Sequence, residues 1–565
     1  WKLVQEAKLD KDLKVDKPPD DFSKFLQKLD GYICEIKDSQ IRGGLHILGE
    51  VPKGDQLIDL LSSITRLDNG DIPSLRRALA EALGLNYKEL LEDRSKPIKD
   101  LPKPIKESSK IFTAGDVIEE IEKLSRKLYK ELLARDFKDI PALVEEVIGK
   151  RDANVEKVLK FVADTVYPNL LKTEDEIKNL LKGLGGQYVP PGPAGAPSRG
   201  MAHVLPTGRN FYAIDPRTVP SPSAWELGKK LAEELLKKYL KEEGKYPETV
   251  GIIVWGTSTI RTQGEDIAEI LYLLGVKPVW QEESRRVVGL EVISLEELGR
   301  PRIDVLVRIS GFFRDSFLNL IDLISDAINL VANLKEDPER NFVRKHLLEE
   351  MSKNPYNERM LYRIFGNKPG TYGVGLLDLI NVKNWQKDED LAKVYINWSG
   401  YAYSKGKYGV DAKDVFKLRL SQVMVAVKNQ DNREHDIFDS DDYFQEHGGM
   451  IASIRAITGK NPKKLFGDTS DPENPKVRDL EDEAKRVFRA RVINPKWINS
   501  MKRHGYKGAF ELASTVDFIF GYDATAQIME DWMYNELAEK YALELKEFFK
   551  ENNPWALKDI IERLL

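Results

Sequence analysis

The stretch TVGIIVWGTSTIRTQGEDIAEILYLLG, residues 249–275, changes its period half-way along. TVGIIVW is continuously apolar and rich in β-branched side chains, as a strand buried on both faces requires. GEDIAEILYLLG returns to apolar residues three and four apart between two glycines, the pattern of a helix closed by a glycine. Upstream, SAWELGKKLAEELLKKYL carries Ser223 and Glu226 at capping-box spacing and predicts a helix. Downstream, VVGLEVI and IDVLVRI read as strands, and DSFLNLIDLISDAINLVANL as a long helix. Strands too apolar to alternate, separated by helices, predict a mostly parallel sheet covered on both faces.

Around this α/β segment the pattern is helical. SLRRALAEALG at 74–84 starts on a Ser74 cap, and DVIEEIEKLSRKLYKELL at 116–133 places Ile118, Ile121, Leu124, Leu128 and Leu132 on one stripe. GLGGQYVPPGPAGAPSRGMAHVLPTGRN at 183–210 holds too much Gly and Pro for a helix or a central strand. The expected organisation is α/β multidomain: a mainly helical domain at 1–182, a Gly/Pro-rich loop at 183–210, the α/β domain at 211–340, a mixed region at 341–450, and a mainly helical domain at 451–565.

A net charge of −5 argues against a nucleic-acid partner bound through overall positive charge. Cys34 is the only cysteine, which excludes internal disulfides and thiolate clusters and suits a reducing cytoplasm. No apolar run approaches the roughly 20 residues of a membrane span, so an integral membrane protein is not expected. The chain opens on Trp1 and stops on ERLL, and so reads as part of something longer. A phosphate loop of the form G-x-x-x-x-G-K-[ST] is absent, so no nucleotide site is expected on this chain. WGTSTIRTQGED follows a parallel strand, where α/β proteins bind ligands; a simple strand-to-helix turn reads the same letters equally well.

NQDNREHDIFDSDDYFQEHGG at 429–449 concentrates carboxylates, two histidines and Arg433 before paired glycines. Glu434, His435, Asp436, Asp439, Asp441 and Asp442 offer ligands for a divalent ion and acceptors for protons. The same residues serve as loop and helix caps, and spacing leaves both readings open. His46 reads first as a packed histidine between apolar neighbours. His504, before Gly505, reads as a helix C-terminal cation within a local basic patch that includes Lys507.

LPTGRNFYAIDPRTVPSPSAW, YPETVGIIVWGTSTIRTQGE, SLEELGRPRIDVLVRISGFFRDSF, NREHDIFDSDDYFQEHGG and NPKWINSMKRHGYKGAFELASTVDFIFGYDAT occur in that order. Together they resemble the large subunit of ATP-dependent tetrapyrrole metal chelatases, a family spanning cobaltochelatase of the CobN type and the H subunit of magnesium chelatase. The resemblance runs from about residue 37 to the end. It implies part of a cage-like subunit that binds a tetrapyrrole, takes a divalent metal as substrate, and relies on two AAA+-related partner subunits for ATP hydrolysis. SGFFRDSF and the acidic block look more like the cobalt type, implying Co2+ insertion into hydrogenobyrinic acid a,c-diamide in cobalamin biosynthesis. The alternatives are Mg2+ insertion into protoporphyrin IX, or a tetrapyrrole-binding module without chelatase activity.

The resemblance also assigns roles. Glu434, His435, Asp436 and Asp439 are the candidate catalytic groups, and His435, Asp439, Asp441 and Asp442 the candidate metal ligands. Arg209, Arg217, Arg314 and Arg433 are candidates for pairing with substrate carboxylates or carboxamides. Trp255, Tyr372 and Tyr403 are candidates for stacking on the ring, and His46, His504 and Lys507 complete the expected substrate contacts. The family's HGTHG…EWLPGK-like block has no counterpart here, and the resemblance places it before Trp1.

Overall fold

The computed structural model describes residues 1–39, 43–98, 101–102, 105, 113–211 and 214–565. Two compact units emerge: Trp1–Tyr212 with Lys485–Leu512 and Asp531–Leu557, and Ala213–Ala484 with Ala513–Glu530 and Lys558–Leu565. The segments 211–340 and 341–450 thus fall almost wholly in one unit, whereas 451–565 is shared between the two.

The first unit is helical. Its axis is α1 (Ala114–Ala134), opened by a Thr113–Asp116 capping box, with Ile118, Ile121, Leu128 and Leu132 buried along the predicted stripe. Helices Asp55–Ile64, Leu75–Ala82 and Ile140–Ile148 pack on it. The Ser74 hydroxyl accepts from the Arg77 N–H, the cap read from the sequence.

The second unit is built on one sheet. Its strands are β1 (Thr249–Val254), β2 (Asp304–Ile309), β3 (Ile364–Gly366), β4 (Tyr401–Ser404), β5 (Lys407–Asp411), β6 (Val425–Gln430), β7 (Lys463–Asp468) and β8 (Lys476–Asp479). Their spatial order is β8-β7-β6-β1-β2-β3-β4-β5. The five strands from β7 to β3 are mutually parallel, and the edges on both sides are antiparallel. β1, β2 and β6 are buried at every residue, which accounts for their unalternating sequences.

Helix α2 (Pro222–Glu243) packs against α3 (Glu265–Leu274), both of them close to the predicted spans. The α2 cap differs from the expectation: Ser221, not Ser223, accepts from the Ala224 N–H, because Pro222 takes the first helical position, where its missing N–H costs nothing. VVGLEVI also differs. Val287–Val292 pairs antiparallel with Val276–Trp280 as a separate hairpin rather than joining the main sheet. β7 and β8 lie inside the segment read as helical. Lys463 and Lys464 open β7, and charge at a strand start conceals it; Lys464 is buried with its ammonium donating to the Ala526 carbonyl at 2.9 Å.

Candidate functional site

The connection leaving β1 leads to β2 on one side, and the connection leaving β6 leads to β7 on the other. Between the carboxyl ends of β1 and β6 the sheet therefore has a topological switch point, the place where open α/β sheets commonly hold ligands. Trp255 follows β1 and Asp431 follows β6. Arg261, in the short helix Gly256–Thr262, joins the two loops by donating from Nε and Nη2 to both Asp431 oxygens at 2.9 and 2.8 Å.

Lys428 is fully buried near the end of β6. Its ammonium lies 4.1 Å from the Trp255 ring centroid and donates to the Asn429 carbonyl at 2.5 Å. Burial lowers its pKa against the opposing pull of Asp266, Asp431 and Glu446. The Trp255 indole N–H donates to Glu446 Oε2 at 2.6 Å, and the Tyr443 ring meets it edge-on at 4.8 Å. Trp255 is thereby a fixed wall, with one face already covered, rather than the open stacking surface expected. Arg308, buried at the end of β2, lies 3.8 Å from Glu446 and donates to Asn367 Oδ1 at 3.0 Å.

The acidic loop 431–442 folds on its own side chains. Asn432 Oδ1 accepts from the N–H groups of Glu434 and His435 at 3.1 and 3.2 Å. Asp436 Oδ1 accepts from Phe438 N–H at 2.9 Å, and Asp439 Oδ2 from Asp436 N–H at 2.8 Å. The Asn432 and Asp436 bonds are Asx-type turns and the Asp439 bond reaches back three residues; together they satisfy backbone groups of the loop while Ile437 and Phe438 anchor it in the core. Asp441 accepts from the Gln445 amide at 2.6 Å. Among the described residues, His435, Asp439, Asp441 and Asp442 do not bring three ligand atoms within 4.8 Å of one another. The group that does meet that geometry is Asp30, Cys34 and Asp116 in the helical unit. There, burial and the charges of Asp30 and Glu119 push the Cys34 thiol up to about 12, and it donates to Glu119 at 3.4 Å.

Two groups of the loop keep chemistry available. His435 is exposed. Asp442 is exposed as a residue, yet desolvation of its carboxyl, with the charges of Glu446 and Asp441, raises its pKa to about 6. Glu434 is half-buried and adds negative charge beside Arg261. His447 is different: burial holds it neutral, with its pKa near 3, between the Tyr522 hydroxyl at 2.7 Å and the Ala426 carbonyl at 3.1 Å.

The remaining expected contacts divide. Arg314 is buried, donating to both Asp315 oxygens and to the carbonyls of Lys368 and Thr371 at 2.9 and 3.0 Å; it braces the glycine-rich loop instead of waiting for a carboxylate. Tyr372 stays exposed and is steered by its hydroxyl, 2.6 Å from Asp315 Oδ2. Tyr403 is buried, with its hydroxyl on the Asn367 carbonyl, so it is no stacking surface. Arg433 donates to Ser470 Oγ at 3.2 Å. Arg217 pairs with Asp215 at the surface, and that pairing holds the Asp215 carboxyl down to about 2.

In the helical unit, His46 and Arg209 line one cleft of about 630 Å³ with Glu176, Leu180 and Leu184. His46 is exposed and hydrogen-bonds through Nε2 to Glu176 Oε2 at 2.8 Å, so the packed core histidine is not what forms. His504 accepts from Leu45 N–H at 3.1 Å, and Lys507 pairs with Glu511 at 2.5 Å; both serve their own surroundings and neither lines that cleft.

The family profile described as CobN/Magnesium Chelatase matches residues 1–565. The chain belongs to the CobN/magnesium chelatase family. It is 42% identical, over its whole length, to the aerobic cobaltochelatase subunit CobN of Pseudomonas aeruginosa, of which it covers 46%. It is 31% identical to the H subunit of the magnesium chelatase of Chlorobaculum parvum, covering 97% of this chain and 43% of that protein. The catalytic subunit of cobaltochelatase from Mycobacterium tuberculosis superposes with a TM-score of 0.91 at 46% identity, covering 100% of this chain and 46% of that one. The chain thus spans a little under half the length of the relatives it matches.

Within this CobN/magnesium chelatase chain, sequence reasoning missed Lys428, Arg308, Glu446, Asp266 and Glu269. Lys428 and Arg308 sit inside apolar strands, where a lone cation breaking the run is the available signal. Asp266 and Glu269 belong to the buried face of α3, a helix whose every residue is buried.

Proposed function

We propose that this chain is part of the tetrapyrrole-binding large subunit of an ATP-dependent cobaltochelatase, inserting Co2+ into hydrogenobyrinic acid a,c-diamide. ATP hydrolysis is assigned to two AAA+-related partner subunits. The observation that carries the reading is the whole-length similarity to cobaltochelatase subunits, at 42% and 46% identity against 31% for the magnesium-chelatase relative. The chemistry of the acidic loop supports it. Metallation strips the ring N–H protons, one from a corrin and two from a porphyrin, while the metal exchanges its water for ring nitrogens, so it needs a base that works near neutrality and ligands too few to trap the ion.

Asp442, with its pKa raised to about 6, is a stronger base than an ordinary carboxylate and is still largely ionised at pH 7. His435 stands exposed in the same loop as a second acceptor or a transient ligand. Asp436 and Asp439, engaged with backbone N–H groups, shape the loop that presents them. Lys428, Trp255, Arg308 and Glu446 form the rigid floor.

The test is cobalt insertion by the complete complex, single variants against wild type. Asp442→Asn and His435→Ala are each expected to lower kcat by about 10²-fold or more, the range of a lost acid–base group, with the unfolding midpoint unchanged. Activity per folded molecule equal to wild type in both variants makes the loop structural. Faster insertion of Mg2+ into protoporphyrin IX than of Co2+ into the corrin precursor reassigns the metal.

A further inference from the structure

The helix Asp175–Leu184 has no buried residue, although it carries a full apolar stripe. Ile177, Leu180, Leu181 and Leu184 remain 44%, 52%, 63% and 78% exposed. An uncovered stripe of this kind marks a binding surface more often than chance.

Two segments are tied to this one helix, and a third packs on one of them. Glu176 Oε2 accepts from Gly49 N–H at 2.8 Å and meets His46 Nε2 at 2.8 Å, which fastens the 46–49 loop. Asn179 donates to the Gly208 carbonyl at 2.8 Å, which fastens the loop carrying Arg209. Gly208, at φ +76°, lies so close to the helix that a Cβ would come 2.6 Å from the backbone of Asp175 and Glu176. Gly192 leaves room for the Arg209 stem, since a Cβ there would overlap its Cδ.

The result is a cleft with two kinds of lining. Leu48, Leu180, Leu184 and Val189 give it apolar lining. Arg209 lines it as well. Its Nη2 donates to the Leu205 carbonyl at 3.3 Å, and among the described residues it has no carboxylate partner. Glu176, the acid that also lines the cleft, is committed to His46 and Gly49. The volume of about 630 Å³ falls within the range of roughly 300–1,000 Å³ common for small-molecule sites. Apolar lining together with an uncompensated guanidinium suits a molecule that presents an apolar surface beside a carboxylate.

We propose that this cleft binds the carboxylate-bearing edge of the tetrapyrrole, with Arg209 pairing a peripheral carboxylate while Leu180 and Leu184 cover the ring. The assignment rests on the tetrapyrrole reading above and adds the cleft, its wall and the group that reads the charge.

The experiment titrates this chain with hydrogenobyrinic acid a,c-diamide and with its fully methyl-esterified form, following absorbance. Arg209→Ala and Leu184→Glu alter exposed side chains, and thermal unfolding confirms that each variant is folded. Wild type is expected to bind the acid about tenfold more tightly than the ester, a difference of one charge-assisted pair. Arg209→Ala is expected to lose about tenfold for the acid and nothing for the ester, so that the two become equal. Leu184→Glu is expected to weaken both forms by about tenfold or more. If wild type binds saturably and both variants match it, the cleft is not the site, while the tetrapyrrole reading stands. If Arg209→Ala weakens acid and ester alike, Arg209 does not read the carboxylate. If wild type binds neither form, the tetrapyrrole reading falls together with the cleft.

Discussion

Glu269 has no water to solvate its charge: it is fully buried on α3, beside Asp266 and Asn429. Burial, and then the neighbouring Asp266, raise its pKa from the ordinary carboxylate value to about 8. Because the folded state holds this proton more tightly than the unfolded chain, Glu269 stabilises below about pH 4.5, and that contribution is lost as the pH rises toward 8. Glu269→Gln keeps the shape and removes the ionisation. The variant is therefore expected to gain on wild type between pH 5 and pH 8, by at least about 3 °C in Tm. A difference between the two that stays flat over that range shows that Glu269 titrates over the same pH range in the folded and the unfolded protein, and that burial does not raise its pKa. Nothing in GEDIAEILYLLG distinguishes Glu269 from a solvated acid of an amphipathic helix. Its burial depends on β6 supplying Asn429 to its oxygen at 2.5 Å.

At the next scale, the paired glycines of the acidic stretch acquire a cause. Tyr443–Gly448 forms a turn of π-helix that runs directly into Gly449–Thr458, and such turns often mark functional sites. A Cβ on Gly448 would overlap the Thr525 hydroxyl, and one on Gly449 would come 2.5 Å from the Tyr395 ring. Thr525 cannot retreat easily, being fully buried with its hydroxyl donating to the Gly521 carbonyl at 2.9 Å. Gly448→Ala is accordingly expected to cost about 1–3 kcal/mol, the usual penalty for overpacking, measured by chemical denaturation. Unchanged stability shows that the π turn can shift away from Thr525. The element itself was partly legible: carboxylates, aromatics and glycines announced a special loop. Whether its aspartates cap or coordinate was not legible, since an Asx turn and a ligand need the same side chain, and only the position of the backbone N–H decides between them.

Over the whole molecule, residues far apart in sequence complete each unit. The last eight residues, Lys558–Leu565, belong with the sheet. There Ile560 is fully buried, and Arg563 pairs with Asp517 at 2.7 Å and lies 5.0 Å from the centre of the Phe520 ring. Deleting 558–565 is expected to speed amide exchange across 513–526 by about tenfold or more, leaving 114–134 unaffected, as a local loss of packing requires. Equal acceleration in both places shows that the segment supports the two units together.

The amino-acid sequence by itself determined the helical stripe of α1, the buried strands β1 and β2, the helices that follow them, and membership of the chelatase family. Those features follow from local periodicity and from ordered blocks of residues. Tertiary structure alone decided that β6 lies beside β1, creating a switch point between Trp255 and Asp431. It also decided that Arg314 is a brace, that Lys428 is the buried cation, and that His46 and Arg209 share one cleft. Each of these depends on which groups from distant segments meet out of water. A side chain's charge, and whether it is free to act, is set by those neighbours.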